Sequence, residues 1–165
     1  MKTEIEPIDG TPEKRMFWSI ISDYDLQTGI CELVDNALDL WMGGKQRGEL
    51  RIEILLDVDR QLIAIKDNAG GVKREELRLL VAPGGSRNDP DAEIIGIFGV
   101  GSKRACVALG EQVAMKTRYG SGETFQVDIN KDWLESPAWN LPAYAIPEID
   151  KGSTQIEISD RKSVV

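Results

Sequence analysis

Apolar residues at positions 16, 17, 20 and 21 recur at helical spacing and predict a first helix over 13–22, preceded by a polar arm over 1–12 that carries Pro7 and Pro12. Asp23-Tyr24-Asp25 interrupts that pattern. Asp25 is placed to cap a second helix, which runs to about Met42 and stops at Gly43-Gly44. In this helix Ile30, Leu33, Val34, Ala37, Leu38 and Trp41 form one broad apolar stripe, while Glu32, Asp35, Asn36 and Asp39 share the opposite side. The period then shortens to two. Residues 50–57 predict a half-buried strand, 57–60 a turn, and 61–66 a second strand, antiparallel to the first. A short helix is expected over 73–81, another over 103–109 closed by Gly110, and a hairpin of strands 112–119 and 123–129 around Gly120-Ser121-Gly122. Residues 131–151, with three prolines, are expected to be irregular; alternation returns in a last strand over 154–159.

Four stretches carry chemistry. The acidic side of the second helix is either an ordinary solvated face or a set of oxygen ligands for a hard cation such as Mg²⁺, which takes carboxylate, amide oxygen and water. Asp67-Asn68-Ala69-Gly70-Gly71-Val72 ends a strand in a turn. Residues 82–95 are polar, rich in glycine and proline, and long for a compact domain, as functional lids are. Gly96-Ile97-Phe98-Gly99-Val100-Gly101-Ser102-Lys103 follows and opens a helix, so backbone N–H groups can converge there on an anion. The spacing fits neither a Walker nor a Rossmann loop.

Composition narrows the choice. The 165 residues suit one domain, and a net charge of −8 argues against a nucleic-acid surface. No apolar run is long enough to span a bilayer, and there is no apolar signal region at the N-terminus. Cys31 and Cys106 both lie among apolar residues and are expected as buried free thiols, which suggests a reducing, cytoplasmic setting. The chain has no histidine, which removes Ser-His-Asp and Cys-His chemistry and histidine-bound zinc.

Four segments in order, Glu32-Leu33-Val34-Asp35-Asn36-Ala37-Leu38-Asp39, Asp67-Asn68-Ala69-Gly70-Gly71, Gly96-Ile97-Phe98-Gly99-Val100-Gly101 and Gly152-Ser153-Thr154, resemble the motifs of the GHKL ATPases. These include the gyrase B subunit, the ninety-kilodalton heat-shock chaperones, the histidine kinases, MutL and the Microrchidia-type proteins. The resemblance covers roughly residues 14–159 and is closest in style to the chaperone and Microrchidia types. It implies the Bergerat-type, histidine kinase-like ATPase fold: an α+β two-layer sandwich, with helices on one face of a mixed, mostly antiparallel sheet. The ATP-binding domain would be 13–165, with its lid at about 82–97.

By that resemblance Asn36 supplies an oxygen to Mg²⁺, and Glu32, one turn earlier, is the general base for the attacking water. Asp67 accepts the exocyclic amine of adenine, a choice its acceptor-only carboxylate enforces against guanine. Thr154 supports the adenine end, or is simply a β-branched strand residue. Gly71 and Val72 lie near the base. Gly96, Gly99, Val100, Gly101 and Ser102 offer backbone to the phosphates, and Phe98 is a lid hinge. Lys103 either reaches a phosphate or is a solvated helix lysine. Ala69 stands where relatives more often have glycine.

The activity implied is Mg²⁺-dependent ATP binding with slow hydrolysis, coupled to lid closure and ATP-dependent homodimerisation through the N-terminal arm. A downstream domain or partner protein is expected, because in several relatives a lysine from a further domain meets the terminal phosphate. Alternatives are a nucleotide-gated binding module without turnover and a histidine-kinase catalytic domain. Against the kinase, Asp39 stands where kinases usually carry lysine, and no phosphoacceptor histidine exists.

Overall fold

The computed structural model describes residues 6, 13–14, 24–44, 48–82 and 101–160. Nearly all of the 1–12 arm, most of the 13–22 helix, the lid beyond Ala82, and Gly96, Phe98, Gly99 and Val100 therefore lie outside the described residues. Helix α1 is Leu26–Gly43. Asp25 caps it as expected, its Oδ1 accepting the Thr28 N–H at 2.7 Å, and the Gly44 N–H closes the other end on the carbonyls of Leu40 and Met42. Strands β1 (Ile52–Asp57) and β2 (Leu62–Asp67) form the first hairpin. A 3₁₀ turn (Arg74–Glu76) and helix α2 (Arg78–Val81) divide the single helix expected over 73–81. Helix α3 is Gly101–Leu109; β3 (Gln112–Arg118) and β4 (Thr124–Asn130) form the second hairpin.

Two ordered elements occupy the stretch expected to be irregular. Helix α4 (Lys131–Glu135) is capped by Asn130, whose Oδ1 accepts the Trp133 N–H at 2.9 Å. Strand β5 (Ala143–Ile146) pairs with β4, bounded by Pro142 and Pro147. The prolines that suggested irregular chain instead delimit a short edge strand, where a missing N–H is tolerated. Strand β6 is Ser153–Ser159.

The sheet runs β1-β2-β6-β3-β4-β5, and every pair among the described strands is antiparallel. The last strand thus sits between the two hairpins. Its register with β2 and β3 lines up three rungs: Ile63–Ile158–Val113, Ile65–Ile156–Met115, and Asp67–Thr154–Thr117. All nine residues are buried. The first two rungs belong to a continuous apolar core with Leu33, Ala105, Val107 and Leu109 from the helices. The third rung is wholly polar, on the same face of the same three strands.

Three expectations are corrected here. Strand β1 is not half-buried: Ile54, Leu55 and Leu56 are 46, 53 and 50 % exposed, since β2 is its one neighbour among the described strands. The buried side of α1 is centred on Gly29, Leu33 and Ala37, with half-buried Leu26, Ile30 and Leu40 packed against the core; Val34, Leu38 and Trp41 are half-buried too. Gly29 explains the rotation. A Cβ there would meet Leu109 Cδ1 at 2.7 Å, so α3 packs directly against the bare backbone. Finally Cys31 is exposed, because two residues from Gly29 and from Leu33 a helix points away from the core; Cys106 is buried as expected. A thiol reagent should accordingly titrate one cysteine in the native chain and both in denaturant; two fast native thiols would contradict this placement of α1.

Candidate functional site

The polar rung lies where β2 runs into its glycine turn. Asp67 Oδ1 accepts the Ala69 N–H at 2.9 Å, which folds the chain back, and Gly70 and Gly71 continue with φ of +118° and +70°. At Gly71 a Cβ would stand 2.1 Å from the Arg118 carbonyl oxygen, so only glycine lets the turn lie on β3. The Gly70 N–H donates to the Gly152 carbonyl at 2.8 Å, tying this turn to the one that starts β6. Ala69 is itself buried.

Three distant segments therefore meet at one point. Thr154 sits directly opposite Asp67 in the ladder, and its backbone N–H helps hold the carboxylate. The hydroxyls of Thr154 and Thr117 are 3.2 Å apart, and Thr117 Oγ1 accepts the Val72 N–H at 2.8 Å. Burial pushes the Asp67 carboxyl up to about 6, with the N–H groups of Ala69 and Thr154 opposing the rise. A carboxylate has roughly four lone-pair sites, so the two N–H bonds leave acceptor capacity for a ligand. Beside the turn is a cleft of about 300 Å³ between the end of α1 (Leu40, Gly43, Gly44) and Ala69–Gly71, with Lys73, Glu76 and Tyr119 around it. Asp67 itself is not among the residues lining that cleft.

A second group of residues forms where α1 crosses α3. Gly29, Glu32 and Asn36 lie in one row of α1, at i, i+3 and i+7. Gly29 meets the end of α3 at Leu109, and Glu32 meets its start at Gly101. A Cβ on Gly101 would fall 1.7 Å from Glu32 Oε2, so the carboxylate rests against the glycine backbone. The Tyr24 hydroxyl donates to Glu32 Oε1 at 3.2 Å, and the Arg104 guanidinium stands 4.8 Å from the Tyr24 ring centroid. Burial and the Glu32 charge both push the Tyr24 phenol up. Asn36 is exposed one turn beyond Glu32, and Ser102 is half-buried beside Gly101.

Lys103 is 3 % exposed, which removes the reading of a solvated helix lysine. Burial pushes its ammonium down to about 8, while the Cys106 thiol is pushed up to about 12. The structure thus brings together Asp67 with Thr154, Gly71 and Val72 with Thr117, and Glu32 with Gly101. Thr117 and Tyr24 were not foreseen. Thr117 had a visible signal, being the polar member of the inward series Val113, Met115, Thr117. Tyr24 had none, since its contact depends on how α1 and α3 pack.

Comparison with known proteins agrees with this geometry. The profile described as "Histidine kinase-, DNA gyrase B-, and HSP90-like ATPase" matches residues 24–163. The chaperone protein HtpG of Citrobacter koseri is 28 % identical over 120 residues, covering 57 % of this chain and 19 % of that relative. The HtpG of Klebsiella pneumoniae is 32 % identical over 92 residues, covering 48 % of this chain and 14 % of the relative. The chain thus spans less than a fifth of the length of either chaperone. The profile takes in both glycine turns, the α1–α3 crossing and all six strands, and the chain belongs to the family of histidine kinase-, DNA gyrase B- and HSP90-like ATPases.

Proposed function

We propose that this chain binds ATP together with Mg²⁺ and hydrolyses it, with the base read at the polar rung and the phosphates met at the start of α3. The observation that carries the reading is Asp67: a buried carboxylate held by two backbone N–H groups, at the end of a strand, beside Thr154. Burying such a group costs several kcal/mol unless it is satisfied, and an adenine amine is a donor that would satisfy it. Thr154 and Thr117 support the same edge of the base, with Gly71 and Val72 against it.

Gly101 and Ser102 open α3, where backbone N–H groups and the helix dipole favour phosphate; Gly96, Phe98, Gly99 and Val100 would extend that cradle, and Lys103 would add charge. Asn36 offers one exposed amide oxygen. That donor set fits Mg²⁺, which keeps waters and takes phosphate oxygens, better than a cation needing an all-protein cage. The ion would supply charge neutralisation at the phosphates. Glu32 would take the proton of the attacking water, its carboxylate oriented by the Tyr24 hydroxyl. Lid closure over 82–97, homodimerisation on ATP binding and coupling to a further domain or partner complete the proposed cycle. No direct nucleic-acid contact is proposed. Among the described residues no helix is long and apolar enough to cross a membrane, and a cytoplasmic location is part of the proposal.

Calorimetric titration with Mg²⁺-ATP and Mg²⁺-GTP tests the reading. Saturable binding of ATP, weaker by an order of magnitude or more for GTP, is expected where an amine acceptor selects the base. Absence of heat with ATP, or equal affinity for the two, would overturn it.

A further inference from the structure

Lys14 is 4 % exposed, and its ammonium donates to three oxygens: the Trp133 carbonyl, Ser136 Oγ at 3.1 Å and the Ala138 carbonyl at 2.7 Å. Its Nζ also stands 4.1 Å from the ring centroid of Trp133 and 5.9 Å from that of Trp139. The two indoles meet edge to face, 6.1 Å apart at 84°. Contacts within α4 and its ends position the acceptors. The Asn130 cap starts α4, the Ser136 N–H ends it on the carbonyls of Asp132 and Trp133, and Ser136 Oγ donates back at 3.0 Å to the Trp133 carbonyl. Trp133 and Trp139 pack against the apolar core.

We infer that Trp133, Trp139 and the oxygens around Ser136 form a receptor for a primary alkylammonium, and that Lys14 is its resident ligand, fastening the N-terminal segment to the β4–β5 connection. The chemistry selects the class. A primary ammonium has three N–H donors, matching three acceptors, and its charge is attracted by indole faces within about 6 Å. A quaternary ammonium has the charge without the donors, and a planar guanidinium presents its donors in a fork that three converging oxygens do not match. A merely apolar contact would require none of the three oxygens. Burial pushes the Lys14 ammonium down in the same direction as any desolvated amine, while the oxygens and rings hold its charged form in place.

The test uses the full chain carrying Lys14→Ala, with n-butylammonium as the probe. Butylammonium should bind the vacated receptor saturably, raise the melting midpoint of K14A and change its tryptophan fluorescence. Wild type and the double variant K14A/W139A should not respond, and tetramethylammonium should fail in K14A. A K14A protein indifferent to butylammonium, or a wild type that responds equally, overturns the inference. Should K14A not fold, W139A retains the lysine. Amine acetylation at Lys14, followed by peptide mass, should then be faster in W139A than in wild type by about tenfold, the loss of one indole contact. Equal labelling rates would overturn the inference by that route.

Discussion

Asp67→Asn is expected to abolish useful ATP affinity while making the nucleotide-free chain more stable at pH 8. The affinity loss follows from removing the charged acceptor; a hydrogen bond to a charged group is worth about 1.5–3 kcal/mol, or roughly 10–150-fold in dissociation constant. The stability gain follows from burial. The Asp67 carboxyl loses its proton near 3.8 when unfolded and near 6 when folded. Its favourable contribution to the fold is thus present below pH 3.8 and lost as pH rises through 6. By pH 8 the folded carboxylate costs about 3 kcal/mol at ~1.4 kcal/mol per pH unit. Asparagine keeps an oxygen for the Ala69 N–H but carries no charge. Allowing for its own buried amide, the apo midpoint should rise by roughly 2–8 °C in calorimetry, and the difference from wild type should shrink toward pH 4. The same protonation removes the acceptor's charge and puts a donor on the carboxyl, so wild-type ATP affinity should fall as pH drops below about 6. Unchanged ATP affinity in Asp67→Asn would end the assignment of Asp67 to the base.

Glu32→Gln should give the largest change in turnover. A positioned general base contributes about 10²–10⁴ in rate, and glutamine cannot take the proton. It can still accept from Tyr24 and lie against Gly101, so packing is preserved and Mg²⁺-ATP should bind within a few-fold of wild type. Phosphate release in single-turnover experiments, with calorimetry alongside, separates the two quantities. Hydrolysis at the wild-type rate would place the base elsewhere.

Much of the fold could be read along the chain because its signals are local. Asp25 and Gly44 bound α1 by capping chemistry that needs no partner, and the alternation of β2, β3 and β6 marks one buried face. What escaped depends on contacts between elements. The stripe on α1 is misjudged because Gly29, with no side chain to count as apolar, is where α3 approaches closest. Exposure of β1 follows from its place in the sheet, and its apolar residues say nothing of that place. Helix α4 turns on one asparagine cap within a proline-rich stretch. At the site, Asp67, Gly71 and Thr154 carry motif signals, whereas Thr117 and Tyr24 become visible only through strand register and helix crossing.

Because β6 is both the last of the described strands and the one between the two hairpins, the chain's order of synthesis matters. Until Ser153–Ser159 has left the ribosome, β1–β2 and β3–β4 have no common neighbour, and Asp67 and Thr117 have no Thr154 to bridge them. Such long-range pairing is slow and late. Competence to hold the base is therefore acquired in one closing step, and a nascent chain lacking that strand carries every other residue of the rung without the rung itself.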